Sequence, residues 1–201
     1  MTDENWRTQE PLEEKIGCSS TRCDRDLHCF RKQFQRGQRR QPGETFRNGV
    51  CYKCGVDLID WGRLDKKDLR DAEYTFTALQ HELIRHHFWH IDIDAKAISK
   101  AKKAGILKLK TQIHNRLQKA LKPPHKEIWH DGYQTPYSGD IIFYAQHSTS
   151  TCCRNCVEEW HGIDKNRSLT DEELNYFEEL IMLYIRHRLP DLADEGIKIM
   201  G

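Results

Sequence analysis

A short segment near the C-terminal end of the chain concentrates residues that can bind a metal ion. Five candidate ligands fall within residues 147–161: His147, Cys152, Cys153, Cys156 and His161. Thiolate and imidazole are the usual ligands of tetrahedral zinc, and Cys153-x-x-Cys156 lets two thiolates reach one ion. Packing alone rarely produces so dense a run, so the segment predicts a zinc site. The alternative is that these cysteines are small buried thiols, since free cysteine is among the most buried residue types.

The same segment predicts local structure around the candidate site. Thr149 or Thr151 can act as the N-cap of a helix that carries Cys153 and Cys156 on one face, and Gly162 is suited to end that helix. Before it, the run D-I-I-F-Y-A-Q at residues 140–146 is β-branched and aromatic. We therefore expect a strand there, followed by the metal-site helix.

Cysteine usage and the N-terminal residues bear on the cellular compartment. The chain has eight cysteines among 201 residues, no run long enough for a membrane span, and a polar start without a signal-peptide apolar stretch. We therefore expect a cytoplasmic protein, in which thiols stay reduced and grouped cysteines bind metal rather than form disulfides. Walker loops, nucleophile elbows and dinucleotide fingerprints are absent from the sequence, so these enzyme classes have no support.

A second group of cysteines lies in the N-terminal part of the chain. Cys51-Tyr-Lys-Cys54-Gly55 has the form of a zinc knuckle, in which a glycine permits the tight turn after two thiolates. The predicted partners are Cys18 and Cys23, although His28 or Cys29 could replace one of them. The predicted quartet for this site is Cys18, Cys23, Cys51 and Cys54.

From Asp65 the apolar spacing predicts one long helix, capped by Asp65, that runs to His90. On it, Glu82, His86 and His90 follow one another at intervals of four residues and share a face. A carboxylate and two imidazoles so placed could hold a catalytic metal or relay protons. The alternative, which we favour, is that they pack at the rim of a helical core and hydrogen-bond locally.

Two lysine-rich helices follow, divided at Gly105. Asp94 caps the first, and Pro123 and Pro124 close the second. Residues 95–126 contain no acidic residue but ten lysines and arginines. Six of these lysines lie on the outward faces: Lys96, Lys100, Lys103, Lys108, Lys119 and Lys122. So many unopposed charges indicate an anionic partner such as nucleic acid, unless the acidic C-terminal third compensates them in space. In that third, Thr170 to Glu173 forms a capping box for a last helix, which stops before Pro190.

Residues from about 103 to 188 resemble a bacterial family of unknown function, the domain of unknown function numbered four-one-eight-six. The features that carry the resemblance are D-G-Y-Q-T-P at 131–136, A-Q-H at 145–147, T-C-C-R-N-C at 151–156 and W-H-G-I at 160–163. Residues 18–94 resemble no family known to us. Members of the family are mostly short stand-alone proteins, and the family name supplies no activity. The resemblance implies that the C-terminal cluster works without the N-terminal cysteines, and so favours two separate metal centres.

Together these patterns predict a mostly helical α+β protein with a minor strand component. We expect a disordered tail at 1–16, a zinc-knuckle module at 17–64 and a helical domain with its own zinc site at 65–201, hence about two zinc ions. The leading functional hypothesis is a cytoplasmic zinc-binding protein that contacts nucleic acid through its lysine-rich helices. The alternatives are a metal-dependent hydrolase or nuclease that uses the Glu/His face, and a structural accessory or protein-interaction module.

Overall fold

The computed structural model describes residues 49–51, 55–128 and 135–197, without the side chains of Leu83 and Ile84. Within these residues the chain forms seven α-helices: α1 (Trp61–Leu64), α2 (Ala72–Leu79), α3 (Leu83–His90), α4 (Ala95–Ala120), α5 (Ile141–Ser148), α6 (Arg154–His161) and α7 (Asp171–Arg188). Two short 3-10 turns accompany them at Leu69–Asp71 and His125–Glu127. The mostly helical prediction is confirmed.

Helix α7 is the centre of the packing. It buries apolar side chains along its length and packs against α2, α4 and α5. Helix α5 also lies against α3 and α4, so neighbouring helices cover several of its sides. The apolar side chains form one hydrophobic core, which includes Ile59 and Leu64 ahead of α2. Removal of this apolar surface from water is the main force that holds the helices together.

The capping box predicted for the last helix is present. The Thr170 side chain accepts a hydrogen bond from the Glu173 N–H, and the Glu173 carboxylate accepts one from the Thr170 N–H. The helix ends at Arg188, before Pro190, as expected. These local signals are strong because they satisfy backbone donors that a helix start leaves without partners.

Helix α4 is interrupted at Gly105, whose φ of 72° and ψ of 167° are not helical. The prediction that Gly105 ends a helix capped by Asp94 is confirmed, and the Asp94 carboxylate accepts from the Ala97 N–H at 2.8 Å. The chain therefore has a kink at Gly105, between the two lysine-rich faces of α4.

The chain segment after α7 fills the break in α4. The Ile106 N–H, which has lost its helical acceptor, donates to the Ala193 carbonyl at 3.0 Å. A Cβ atom at Gly105 would lie 2.5 Å from the Gly196 nitrogen. Both the positive φ and this close approach of two backbones require glycine at position 105.

The prediction of one long helix from Asp65 to His90 is wrong. Asp65 ends α1, and Lys67 follows with a left-handed φ of 49°. Asp68 then caps the first 3-10 turn with its carboxylate. A second break, at residues 80–82, separates α2 from α3. The spacing of apolar residues in the sequence does not reveal such short polar breaks, because the helices on either side of each break still bury the same face.

The prediction of a strand at Asp140–Gln146 is also wrong, because this segment forms α5. Asp140 is its N-cap, and its carboxylate accepts from the Ile142 N–H at 3.1 Å. A helix surrounded by other helices is apolar on most sides and shows no clear helical period. Within the described residues, β-pairing is limited to one isolated bridge between Val50 and Asp57. The minor strand component of the predicted fold class is therefore corrected to this single bridge.

Within the same residues, no helix combines the length and the apolar character that crossing a bilayer requires.

Candidate metal centre

The sulfur atoms of Cys152, Cys153 and Cys156 come together at the start of helix α6. We call these three residues the cysteine cluster. Their sulfurs lie within 4.8 Å of one another, and all three side chains are partly exposed. A zinc ion about 2.3 Å from each sulfur holds tetrahedral ligands about 3.8 Å apart, so small side-chain movements would close the cluster around an ion. Within the described part of the chain, no other three Cys, His, Asp or Glu side chains converge in this way.

The first turn of α6 sets the spacing of the cluster. Cys153 is the N-cap residue, and its sulfur accepts a hydrogen bond from the Cys156 N–H at 3.5 Å. The prediction that Thr149 or Thr151 caps this helix is wrong, because both threonines lie in the preceding loop and are fully buried. Gly162 ends the helix as predicted, with a left-handed φ of 65°.

The last residues of α5 and the loop that leads from it into the cluster are fully buried although their side chains are polar. Residues 146–151 expose at most 2% of their surface. The Gln146 carbonyl accepts from the Thr151 N–H, and the Gln146 side-chain amide donates to the Thr151 carbonyl, both at 2.9 Å. Ser150 makes the tight bend with a φ of 57°. Hydrogen-bonded polar groups of this kind hold a buried loop in one conformation, and here they fix the position of Cys152.

Arg116 and Thr135 support the cluster from outside α6. The Thr135 hydroxyl donates to the Cys152 carbonyl at 2.7 Å. The Arg116 guanidinium donates to the Thr135 hydroxyl at 3.2 Å and to the Gln146 side-chain oxygen at 2.5 Å. Burial lowers the pKa of Arg116, while the negative charges of Asp140 and Cys152 oppose that shift. Helix α4 thus places a cation close to the cysteines.

Arg85 of α3 is a site residue that the sequence analysis missed. Its side chain is buried, with 3% of the residue exposed. Its Nε donates to the Glu82 carboxylate at 3.0 Å, and one terminal nitrogen donates to the His147 carbonyl. The other terminal nitrogen lies 3.9 Å from the Cys156 sulfur. Burial lowers the pKa of Arg85, but the Glu82 and Cys156 charges outweigh it and leave that pKa above its ordinary value.

The thiols themselves need a cation before they can all be ionised. Hydrogen bonds to Cys153 and Cys156, together with burial, raise the pKa of Cys152 well above its ordinary value. A hydrogen bond with Cys152 lowers the pKa of Cys153, but Cys156 and burial outweigh it and raise that pKa to about 11. Thiolates are soft ligands that zinc, copper(I) and iron–sulfur centres prefer. The donor set and its spacing therefore fit a thiophilic cation, which would supply the missing positive charge.

His147, predicted as a ligand, lies beside the cluster but outside the group of converging ligand atoms. Its Nε2 lies 2.8 Å from the Thr135 carbonyl. Its ring lies against the rings of both Phe88 and Tyr137, with centroid distances of 4.6 and 4.7 Å. Burial lowers the pKa of His147 to about 4, so the imidazole is neutral at physiological pH. Its role as a ligand stays a prediction.

His161, the other predicted histidine ligand, is fully buried at the end of α6. Its Nε2 lies 3.0 Å from the Thr149 carbonyl, and its ring packs against Phe177 with centroids 4.7 Å apart. These contacts join α6 to the buried loop and to α7. Like His147, it lies outside the three-cysteine group, and its role as a ligand stays a prediction.

The three residues predicted as a catalytic candidate lie in different surroundings. They are Glu82, His86 and His90. The Glu82 carboxylate accepts from Arg85 and from the Trp160 indole N–H, the latter at 3.3 Å. His86 is buried, and its Nδ1 lies 3.1 Å from a backbone carbonyl in the α2–α3 connection. His90 is exposed, and its ring centroid lies 4.1 Å from that of His86. Such contacts are those expected of groups that hydrogen-bond locally.

Most of the N-terminal quartet lies outside the described residues. This applies to Cys18, Cys23 and Cys54, and also to His28 and Cys29. Cys51 is described and is buried, with 2% exposed. Its N–H donates to the Val56 carbonyl, and its carbonyl accepts from the Gly55 N–H, both at 2.9 Å. Gly55 has a φ of 73°, which fits the glycine position of the predicted turn. The N-terminal zinc site remains a prediction.

Both lysine-rich faces of α4 lie at the protein surface. We call them the lysine faces: Lys96, Lys100 and Lys103 on the first half, and Lys108, Lys119 and, just after the helix end at Ala120, Lys122 on the second. Two of the six are paired, Lys100 with Asp140 at 3.6 Å and Lys122 with Asp171 at 2.6 Å. For the other four, no acidic partner lies within 4.0 Å in the described ranges.

Several acidic residues of the C-terminal third pair with basic residues of the same third. Three such pairs are Glu158–Lys165 at 3.2 Å, Glu173–Arg167 at 2.5 Å and Glu179–Arg186 at 3.1 Å. Asp171 and Glu178 differ, because Asp171 pairs with Lys122, just after α4, and Glu178 pairs with His114 of α4 at 2.6 Å. Ion pairs with acidic residues of this third therefore reach two of the six lysines, Lys100 through Asp140 and Lys122 through Asp171.

A comparison with known families finds one matching model, described as "Domain of unknown function (DUF4186)", over residues 73–186. The match covers more than half of the chain and contains the cysteine cluster, Arg85 and both lysine faces. It begins at residue 73 rather than near residue 103, so the expectation that the chain resembles no family before residue 95 is corrected for 73–94. No solved structure matches the chain.

Proposed function

This chain belongs to the DUF4186 family, and we propose that it is a cytoplasmic zinc-binding protein whose C-terminal ion is held by the cysteine cluster. The observation that carries the proposal is the convergence of three sulfurs within 4.8 Å at the start of α6. Three thiolates select a soft or borderline cation, and zinc is the common choice for a site that does no redox chemistry.

The surroundings of the cluster support a role in holding the domain together. The cluster is contacted from α3 by Arg85 and from α4, through Thr135, by Arg116. An ion at this point would link the buried loop and α6 to both helices. Because a structural metal contributes its binding free energy to folding, loss of the ion should loosen the packing of α3, α5 and α6.

The test of the zinc proposal compares one cysteine from each predicted site. Cys156→Ala should remove about one zinc ion per chain and lower the melting temperature of the helical domain, since the ion contributes to folding. Cys51→Ala is the matched control, because it should remove the other ion and leave the melting of the helices largely unchanged. Elemental analysis and circular dichroism provide the two readouts. Full zinc content in the Cys156→Ala protein would contradict the proposal.

A second function, contact with nucleic acid through the lysine faces, is favoured by the charge distribution. Four of the six lysines have no acidic partner within the described residues, and three of the six ion pairs that acidic residues of the C-terminal third make there are internal to that third. Phosphate would supply the missing counter-charge without any sequence preference.

Salt dependence tests this second function. Each phosphate contact contributes about −0.7 to −0.9 to the slope of log affinity against log salt. Changing Lys96, Lys103 and Lys119 to Gln should therefore make the slope less steep by about 2–3 if each lysine contacts a phosphate. The control changes the two paired lysines, Lys100 and Lys122, to Gln and should alter the slope less. Binding that is absent at low salt, or that responds equally to both variants, would contradict the proposal.

A further inference from the structure

The three sulfurs of the cysteine cluster differ in the hydrogen-bond donors that contact them, and Arg85 causes part of this difference. Its guanidinium lies 3.9 Å from the Cys156 sulfur, whereas Cys153 accepts from a neutral backbone N–H. Within the described residues, the Cys152 sulfur receives no hydrogen bond from outside the cluster. All three cysteine residues are partly exposed.

We propose that Arg85 makes Cys156 the least reactive thiolate of the metal-loaded cluster and leaves Cys152 as the site of covalent modification by soft electrophiles. This inference rests on the proposed metal site, because all three cysteines are thiolates only when they bind a cation. A cationic donor beside a thiolate draws electron density from the sulfur, and charge-assisted hydrogen bonds are stronger than neutral ones. The Cys152 sulfur, on which Arg85 and Arg116 act through their charges but not through a hydrogen bond, keeps the most available electron pair.

The position of Arg85 makes this effect a fixed property of the fold. Glu82 and the His147 carbonyl hold two other donors of the guanidinium, so the side chain cannot turn freely toward Cys152. The Glu82 carboxylate is held in turn by the Trp160 indole. Helix α3 thus aims one terminal nitrogen of Arg85 at Cys156 through contacts that do not involve the other two cysteines.

The reaction that reports this order is alkylation by iodoacetamide. The sulfur electron pair attacks the methylene carbon, a carbon–sulfur bond forms, and iodide leaves. In the zinc-loaded wild-type protein, we expect Cys152 to carry most of the label at partial modification and Cys156 the least. Peptide mass spectrometry assigns the label to each cysteine. If Cys156 is labelled first, or all three are labelled equally, the inference is wrong.

The variant that tests Arg85 removes both members of the buried ion pair. Arg85→Met alone would leave Glu82 as an unpaired buried charge, which is costly. Arg85→Met combined with Glu82→Gln is neutral, and Gln keeps an acceptor for the Trp160 indole. In this double variant the labelling rate of Cys156 should rise severalfold toward that of Cys152. Zinc affinity should fall about 10- to 100-fold, as expected when an outer partner of a metal ligand is lost.

Cobalt(II) separates failure of this inference from failure of the metal proposal. Wild-type protein loaded with cobalt should show stronger sulfur-to-cobalt charge-transfer absorption than a protein in which all three cluster cysteines are serine, whose remaining absorption would come from the predicted N-terminal site. No difference between these two proteins would refute the metal site itself. Given that difference, the double variant should shift the band to lower energy, because its Cys156 thiolate has lost a hydrogen-bond donor. An unshifted band with an unchanged labelling order would overturn the role of Arg85 alone. If the double variant does not fold, the labelling order of the wild-type protein still decides the inference.

Discussion

Cys153 has two roles in the structure, and a serine separates them. Its sulfur caps α6 by accepting from the Cys156 N–H at 3.5 Å, and the same sulfur belongs to the cysteine cluster. Serine is among the best N-cap residues, whereas its hydroxyl is a poor ligand for a thiophilic ion. Cys153→Ser should therefore keep or improve the cap and lose the metal site. Cys153→Ala should lose both.

The magnitudes follow from the two roles. Loss of an N-cap side chain costs about 1 kcal/mol, so in the presence of a chelator Cys153→Ala should be less stable than Cys153→Ser by about that amount. An ion that binds only the folded state adds about 2.7 kcal/mol when its free concentration is 100 times the dissociation constant. With zinc at that level, the wild-type protein should gain about 2.7 kcal/mol more than either variant gains.

The assay is urea unfolding followed by circular dichroism, with each protein measured in chelator and in buffered zinc. The chelator series reports the cap, and the zinc-dependent increment reports the ligand. A Cys153→Ser protein that gains as much stability from zinc as the wild type would refute Cys153 as a ligand. Equal stability of the serine and alanine variants in chelator would refute the capping role.

Three further predictions concern the described fold. Arg154 is fully buried and donates to the carbonyls of Leu121, Asp164 and Arg167. Arg154→Met should therefore lower the free energy of unfolding by several times the roughly 1 kcal/mol of an ordinary hydrogen bond. Equal urea midpoints for the two proteins would contradict this. Gly105→Ala should cost more stability than Gly139→Ala. Both glycines have positive φ, but only at Gly105 would the new Cβ meet backbone atoms, the nearest at 2.5 Å. Similar shifts in the melting temperatures of the two variants would argue against the close packing of the C-terminal segment. Because the folded pKa of His147 is lowered to about 4, the unfolded state binds more protons as pH falls from about 6.5 to 4, so the metal-free protein should lose stability over that window. This loss is on the order of 3 kcal/mol, and it should be smaller in a His147→Gln protein.

Features that depend on neighbouring residues could be predicted from the sequence. The Thr170–Glu173 capping box, the helix end at Gly162 and the break at Gly105 all follow from local backbone requirements. The cysteine cluster belongs to the same class, because its three ligands lie within five residues and the first helical turn brings them together.

Features that depend on distant packing could not be predicted. Helix α5 was expected to be a strand, since a β-branched run buried by surrounding helices carries no helical period. The contact between Arg85 and Cys156 joins residues 71 positions apart, and a Glu and an Arg three residues apart on a helix are usually an exposed pair. His147 is near the cluster in the chain, but its Nε2 faces the Thr135 carbonyl, so its role as a ligand stays a prediction.

The most direct test of the metal centre is the zinc content of two purified proteins, the wild type and a variant with Cys152, Cys153 and Cys156 changed to Ser. Both are prepared under reducing conditions, and zinc per chain is measured by elemental analysis. We predict about two ions in the wild type and about one in the variant, because the N-terminal site would be untouched. Equal zinc content in the two proteins would contradict the claim that the cysteine cluster binds an ion.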